Sequence, residues 1–181
     1  MDQNKQNVLV IDDDVTVRKV ISFHLKKNGF SIYEAESADQ GMNLLESEKI
    51  DLVLCDVSMR EMDGYTFCRK VREKNKFKIL PFIFVTAKSS LEDKSKALES
   101  GGDDIITKPF DVQELLLKVR GLLRRSEIYK VYGTKKNLEE SFKKAPSKVL
   151  IVDDDPDTLF TLSEIVRECE CETVMAKNGL E

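Results

Sequence analysis

The sequence predicts an α/β protein built on a five-stranded parallel sheet with helices on both faces, followed by an incomplete second copy. Three observations carry this. Short strand-like runs alternate with amphipathic helical stretches along the first two thirds of the chain. The runs are apolar throughout rather than alternating, which marks strands buried on both faces. The first run, with the acids that end it, returns near the end of the 181 residues.

The first strand, Val8 to Ile11, stops at Asp12-Asp13-Asp14, and Asp14 is placed to cap a helix with Val17, Val20, Ile21 and Leu25 at helical spacing. That helix ends at Asn28-Gly29, a C-terminal signal. Phe30 to Ala35 admits polar residues and so belongs at a sheet edge, and Ser37 to Glu48 is helical with Met42 and Leu45 on one face. The third strand, Leu52 to Cys55, empties into Asp56 and a loop, and after Gly64 comes a helix with Phe67, Cys68 and Val71. Phe82 to Val85 is the fourth strand, ending at Thr86. Ser89 and Glu92 then read as a capping box for a helix closing at Gly101-Gly102. Asp104 to Thr107 is a short fifth strand before Lys108-Pro109-Phe110, and the last helix carries Val112, Leu115, Leu116, Val119, Leu122 and Leu123 on one face.

Composition is that of a globular protein, 41% hydrophobic and 34% charged. A net charge of −4 argues against nucleic acid as a partner of this region. No run has the length or apolarity of a signal core or a membrane span, which predicts a cytoplasmic protein without membrane contact. Cys55 and Cys68 lie in apolar segments, and Cys169 and Cys171 lack a second pair or a nearby histidine, so four reduced thiols are expected. His24, the one histidine, sits by the apolar stripe of the first helix and reads as a packing residue.

In open parallel sheets, sites form at the carboxyl ends of strands beside the topological switch point. Here those ends hold Asp12 and Asp13, Asp56, Thr86 and Lys108. Clustered carboxylates with one lysine and one hydroxyl suit a divalent cation and a phosphoryl group, since Mg²⁺ takes oxygen ligands and a carboxylate can carry a covalent phosphate.

Ser126 to Ala145 is polar and lysine-rich, a helical extension or a linker. Beyond it, Val149-Leu150-Ile151-Val152-Asp153-Asp154-Asp155 matches Val8 to Asp14 at an offset of 141, and Ala176 falls opposite Ala35. The copy has no counterpart of Asp56, Thr86 or Lys108, so it is not expected to accept a phosphoryl group. So short a unit buries too little surface to fold alone. It is expected to be the interrupted start of a second domain, which needs further sequence, the first domain or another copy of the chain.

Asp12-Asp13, Asp56 with Met62-Asp63-Gly64 after it, Thr86-Ala87 and Lys108-Pro109-Phe110, in that order and spacing, resemble the response-regulator receiver domain of two-component signalling. The resemblance implies a doubly wound, flavodoxin-like sheet of order 2-1-3-4-5. It divides the chain into a receiver domain at 1–125, an extension at 126–147, and the start of a second receiver at 148–181. Asp56 would accept a phosphoryl group from a sensor histidine kinase or a histidine phosphotransfer protein. Mg²⁺, with Mn²⁺ as a substitute, would sit on Asp12, Asp13, Asp56 and the Ser58 backbone carbonyl. Lys108 would pair with the phosphoryl group, ahead of a cis Lys108–Pro109 bond, and Thr86 would be the switch hydroxyl. The output would be a shift in the face made by the fourth helix, fifth strand and fifth helix, with homodimerisation as one consequence.

Two positions depart from the family pattern. Ile105 stands where an aromatic residue is usual, and Arg60 replaces a proline, which is expected to loosen the loop after Asp56 and to bring a cation near the site. Such a protein is an acceptor rather than an enzyme, with slow self-dephosphorylation at most. Phosphatases of the haloacid-dehalogenase type also use a strand-end aspartate, but their second acid would fall at Ser58. A receiver-like docking module that is never phosphorylated is the alternative reading.

Overall fold

A computed structural model describes residues 5–88, 90–132, 147–169 and 171–180. The chain forms two compact units, Met1–Tyr129 and Lys130–Glu181. In the first, the order is β1 (Asn7–Ile11), α1 (Val15–Lys27), β2 (Ser31–Ala35), α2 (Ala38–Ser47), β3 (Leu52–Asp56) and α3 (Gly64–Glu73). Then follow β4 (Phe82–Thr86), α4 (Leu91–Glu99), β5 (Asp104–Thr107) and α5 (Val112–Tyr132). The strands form one sheet of order β2-β1-β3-β4-β5, every pair parallel. Of the segment at 126–147, α5 carries the chain through Tyr132, and residues 133–146 lie outside the described residues.

Because side chains alternate across a strand, the sheet splits its apolar residues between two cores. Leu9, Ile11, Val53, Cys55, Phe82 and Phe84 meet Leu45 of α2 and Phe67, Cys68 and Val71 of α3. Val8, Val10, Leu52, Leu54, Ile83, Val85 and Ile106 meet Ile21 and Leu25 of α1 and Leu115, Leu116 and Val119 of α5. Both faces are covered, which is why the strands had to be apolar throughout.

Local chemistry sets the helix ends. Asp14 caps α1 through the Thr16 and Val17 amides, and Asn28 with Gly29 at φ 93° ends it. Ser37 and Asp63 cap α2 and α3 in the same way. Two expectations need correction. The cap of α4 is Ser90, whose hydroxyl accepts from the Asp93 amide; Ser89 lies outside the described residues. Val20 is exposed, because the buried side of α1 is Ile21, Ser22 and Leu25 and its centre is turned away from Val20. His24 is half-buried, its ring edge-on to Phe23 at 5.3 Å. The four cysteines are free thiols.

The second unit repeats the opening of the first: β6 (Lys148–Val152), α6 (Pro156–Glu168) and β7 (Glu172–Ala176). Its strands are parallel with Val152 opposite Ala176, as Ile11 is opposite Ala35.

Candidate functional site

The carboxyl ends of β1, β3, β4 and β5 lie side by side, since Ile11 pairs with Cys55, Asp56 with Val85, and Thr86 with Thr107. The strand alternation runs on past these ends. Asp12 continues Val8 and Val10, Asp56 continues Leu52 and Leu54, and Lys108 continues Ile106, all on the α1/α5 side of the sheet. Asp13 falls on the other side.

Lys108 is therefore placed to reach both buried acids. Its ammonium donates to Asp12 Oδ2 at 2.8 Å and to Asp56 Oδ1 at 2.6 Å. The Ser58 amide donates to Asp56 Oδ2 at 2.5 Å and the Asp14 amide to Asp12 Oδ1 at 2.9 Å. The Arg18 guanidinium donates to the Asp12 backbone carbonyl from behind. Every oxygen of the two carboxylates is thus engaged, yet two negative charges face one positive charge in a buried place.

The electrostatics follow from this imbalance. Burial raises the Asp12 carboxyl above its ordinary range, and the Lys108 and Asp14 hydrogen bonds only partly offset it. Burial alone would depress the Lys108 ammonium, but its hydrogen bonds to Asp12 and Asp56 hold it above its usual value. Cys55, next in sequence to Asp56, is fully buried on the opposite face and its thiol is pushed far up. Burial takes Cys68 up to about 11. Neither thiol is a nucleophile here.

Asp13 does not join the pair. Its carboxylate meets Arg60 Nε at 3.4 Å, and among the described residues no three His, Cys, Asp or Glu side chains converge as metal ligands. The divergence is that of successive side chains at a strand end. Arg60 does bring a cation to the site, and buried Val57 and Met59 lie just before it in the loop. Thr86 is buried at the end of β4, its hydroxyl accepting from the Lys88 amide at 3.1 Å. The Lys108–Pro109 bond is cis.

Gly64, legible in the sequence only as a turn, holds the site's backbone. Its amide donates to the Val57 carbonyl at 2.9 Å, and a β-carbon there would collide with the Asp56 carbonyl oxygen and come within 3.0 Å of Val57 Cα. A small residue straight after a helix cap was the only available signal. Glycine lets the start of α3 press against the segment that carries Asp56.

Comparison with known proteins agrees with this geometry. The family model for the response regulator receiver domain matches residues 8–120. A DNA-binding dual master transcriptional regulator, RpaA of Synechocystis, is 35% identical over 120 residues, covering 66% of this chain and 50% of that protein. The heme response regulator HssR of Staphylococcus aureus is 39% identical over 120 residues, 66% of this chain and 52% of the relative. The chain thus spans about half the length of the curated relatives it matches. A response regulator structure from Chloroflexus aurantiacus superposes with a TM-score of 0.65 at 31% identity, covering 67% of this chain and 99% of that one. The strand order, the strand-end acids with their bridging lysine, and these matches together establish that the chain belongs to the response-regulator receiver family.

Proposed function

We propose that Asp56 is the phosphoacceptor of a two-component pathway, taking a phosphoryl group from a phosphohistidine on a sensor kinase or a histidine phosphotransfer protein. The observation that carries this is the buried Asp12–Lys108–Asp56 cluster, which holds one more negative charge than positive at the carboxyl edge of the sheet. A fold gains nothing in stability from two buried acids on one lysine. Such a cluster suits a cation and a phosphoryl group.

In the transfer, an Asp56 carboxylate oxygen attacks phosphorus, the bond from phosphorus to the imidazole nitrogen breaks, and the imidazole keeps the electron pair and takes a proton from solvent. Lys108 already donates to Asp56 Oδ1 and follows the developing charge onto a phosphoryl oxygen. The Ser58 amide fixes the second carboxylate oxygen and so orients the nucleophile. The donor set is all oxygen, the chemistry that suits Mg²⁺ or Mn²⁺; Asp12, Asp56 and the Ser58 backbone carbonyl would hold the ion, joined by Asp13 once it turns from Arg60. When bound, such an ion neutralises charge on the phosphoryl oxygens.

Thr86, one residue from the turn into α4, is the hydroxyl placed to answer the new phosphoryl group. With Ile105 on β5 in place of an aromatic ring, switching rests on Thr86 and on the β5–α5 contact. There the Lys118 ammonium reaches both Asp104 Oδ1 and the Ile105 carbonyl at 2.7 Å. The change would pass to the α4–β5–α5 face and shift its population between two arrangements. We place this domain in the cytoplasm as the input module of its protein. Among the described residues no helix is long and apolar enough to cross a membrane.

Intact mass after incubation with acetyl phosphate and Mg²⁺ tests the proposal. The expected result is a gain of one phosphoryl group, absent with a chelator. Steady release of phosphate from phosphate esters would instead make the protein a phosphatase.

A further inference from the structure

We propose that Arg60 is a tethered competitor for the cation at this site: its guanidinium occupies the Asp13 carboxylate and so sets how tightly a divalent ion binds. The inference rests on reading the strand-end acids as a metal site.

The three acids are divided between two cations. Lys108 holds Asp12 and Asp56, while Arg60 holds Asp13, with Nε at 3.4 Å from Oδ2. Arg18, the other nearby arginine, is turned to the Asp12 backbone carbonyl and to Glu34, so it does not compete for a ligand carboxylate. Asp13 opens onto a cleft of about 640 Å³ on the α2 side, whose lining includes Glu36, Asp39 and Glu61 and only one cation, Arg60. Met59, buried, and Arg60 both line that cleft, which sets the guanidinium beside the Asp13 carboxylate.

The two contacts differ in how readily they yield. The Lys108 side chain is only 20% exposed, whereas Arg60 is 90% exposed and Asp13 26%. A divalent ion arriving from solvent meets Arg60 first and must take Asp13 from it. An exposed ion pair of this kind corresponds to roughly a two- to fivefold factor in an equilibrium constant. Replacing Arg60 with a neutral residue removes that competition, and screening by salt shrinks the difference.

Calorimetric titration of the full chain with MgCl₂ at low ionic strength tests this. Arg60→Gln is expected to bind Mg²⁺ about two- to fivefold more tightly than the wild type, with the gap closing at high salt. In an Asp13→Asn background, Arg60→Gln is expected to leave the Kd unchanged, because the contested carboxylate is gone. Equal or weaker affinity in Arg60→Gln overturns the proposal, as does the same tightening in the Asp13→Asn background. If Mg²⁺ binds neither protein, the metal site falls with it; if Mg²⁺ binds both equally, only the role of Arg60 falls.

Discussion

Asp12 and Asp56 share one ammonium, and the strain of that arrangement should appear in stability before it appears in signalling. The folded-state pKa of Asp12 is raised by burial. The ionised acid therefore opposes folding wherever the pH lies above its folded value. The penalty vanishes below the unfolded value, near ~3.9, and grows as pH rises from there through the folded pKa. Asp12→Asn should thus stabilise the metal-free protein at neutral pH, with the gain fading as pH falls through the raised carboxyl value toward the ordinary one; denaturant titrations across pH would show it. Lys108 works in the opposite sense. Its raised pKa contributes stability at neutral pH that is lost only as pH climbs through a value above its ordinary one. Lys108→Met leaves two buried acids with no cation and should cost roughly 2 kcal/mol, less than a fully enclosed pair because Lys108 keeps some solvent contact. The identity of these residues was legible in the sequence, since each ends an apolar run. Their division was not. Only the alternation of side chains past the strand ends sends Asp12 to Lys108 and Asp13 to Arg60.

Elements hold the site in place through contacts that sequence patterns show unevenly. The helix cap at Asp14 is readable because one side chain and its own backbone suffice, whereas Ser37, read as the first helical residue, is the cap of α2. The cap of α4 slipped by one, since Ser89-Ser90 with Glu92-Asp93 offers the same motif in two registers. Close approaches between elements leave no local trace. Gly64→Ala would drive a methyl into the backbone between Asp56 and Val57. It should destabilise by about 2 kcal/mol and slow phosphoryl uptake more than Ala substitution at exposed Lys70 of the same helix; paired melting curves and phosphorylation time courses would separate these effects. Arg72 of α3 is a second device that the sequence hid. Its guanidinium donates to the carbonyls of Phe77, Leu80 and Gly101 at 2.7–2.8 Å and pairs with Asp103 at 3.1 Å, tying α3 to the loops that lead into β4 and β5. Arg72→Met strands those acceptors and should cost about 3 kcal/mol, measurable by denaturant unfolding.

At the scale of the molecule, the chain states one β-α-β design twice and completes it once. The first unit closes because β3, β4 and β5 extend the sheet and α2, α3 and α5 cover it, so Leu9 is 0% exposed. At the same place in the second unit Leu150 is 63% exposed. The repeat at offset 141 made the strand register of the second unit legible, because an apolar run ending in three aspartates recurs with the same spacing to an alanine. Hydrogen exchange of the full chain should find β1, β3 and β4 protected up to global unfolding and β6 and β7 exchanging far sooner. Equal protection would mean that the second unit is covered in solution. The central claim concerns chemistry at one residue, and reductive trapping tests it most directly. After phosphorylation by acetyl phosphate with Mg²⁺, borohydride converts an aspartyl phosphate to homoserine, which peptide mass mapping can place. The account predicts homoserine at Asp56 and nowhere else, with none in Asp56→Asn. Trapping at Asp12, Asp13, Asp153 or Asp154, or a phosphorylated protein with no trapped aspartate, would contradict it.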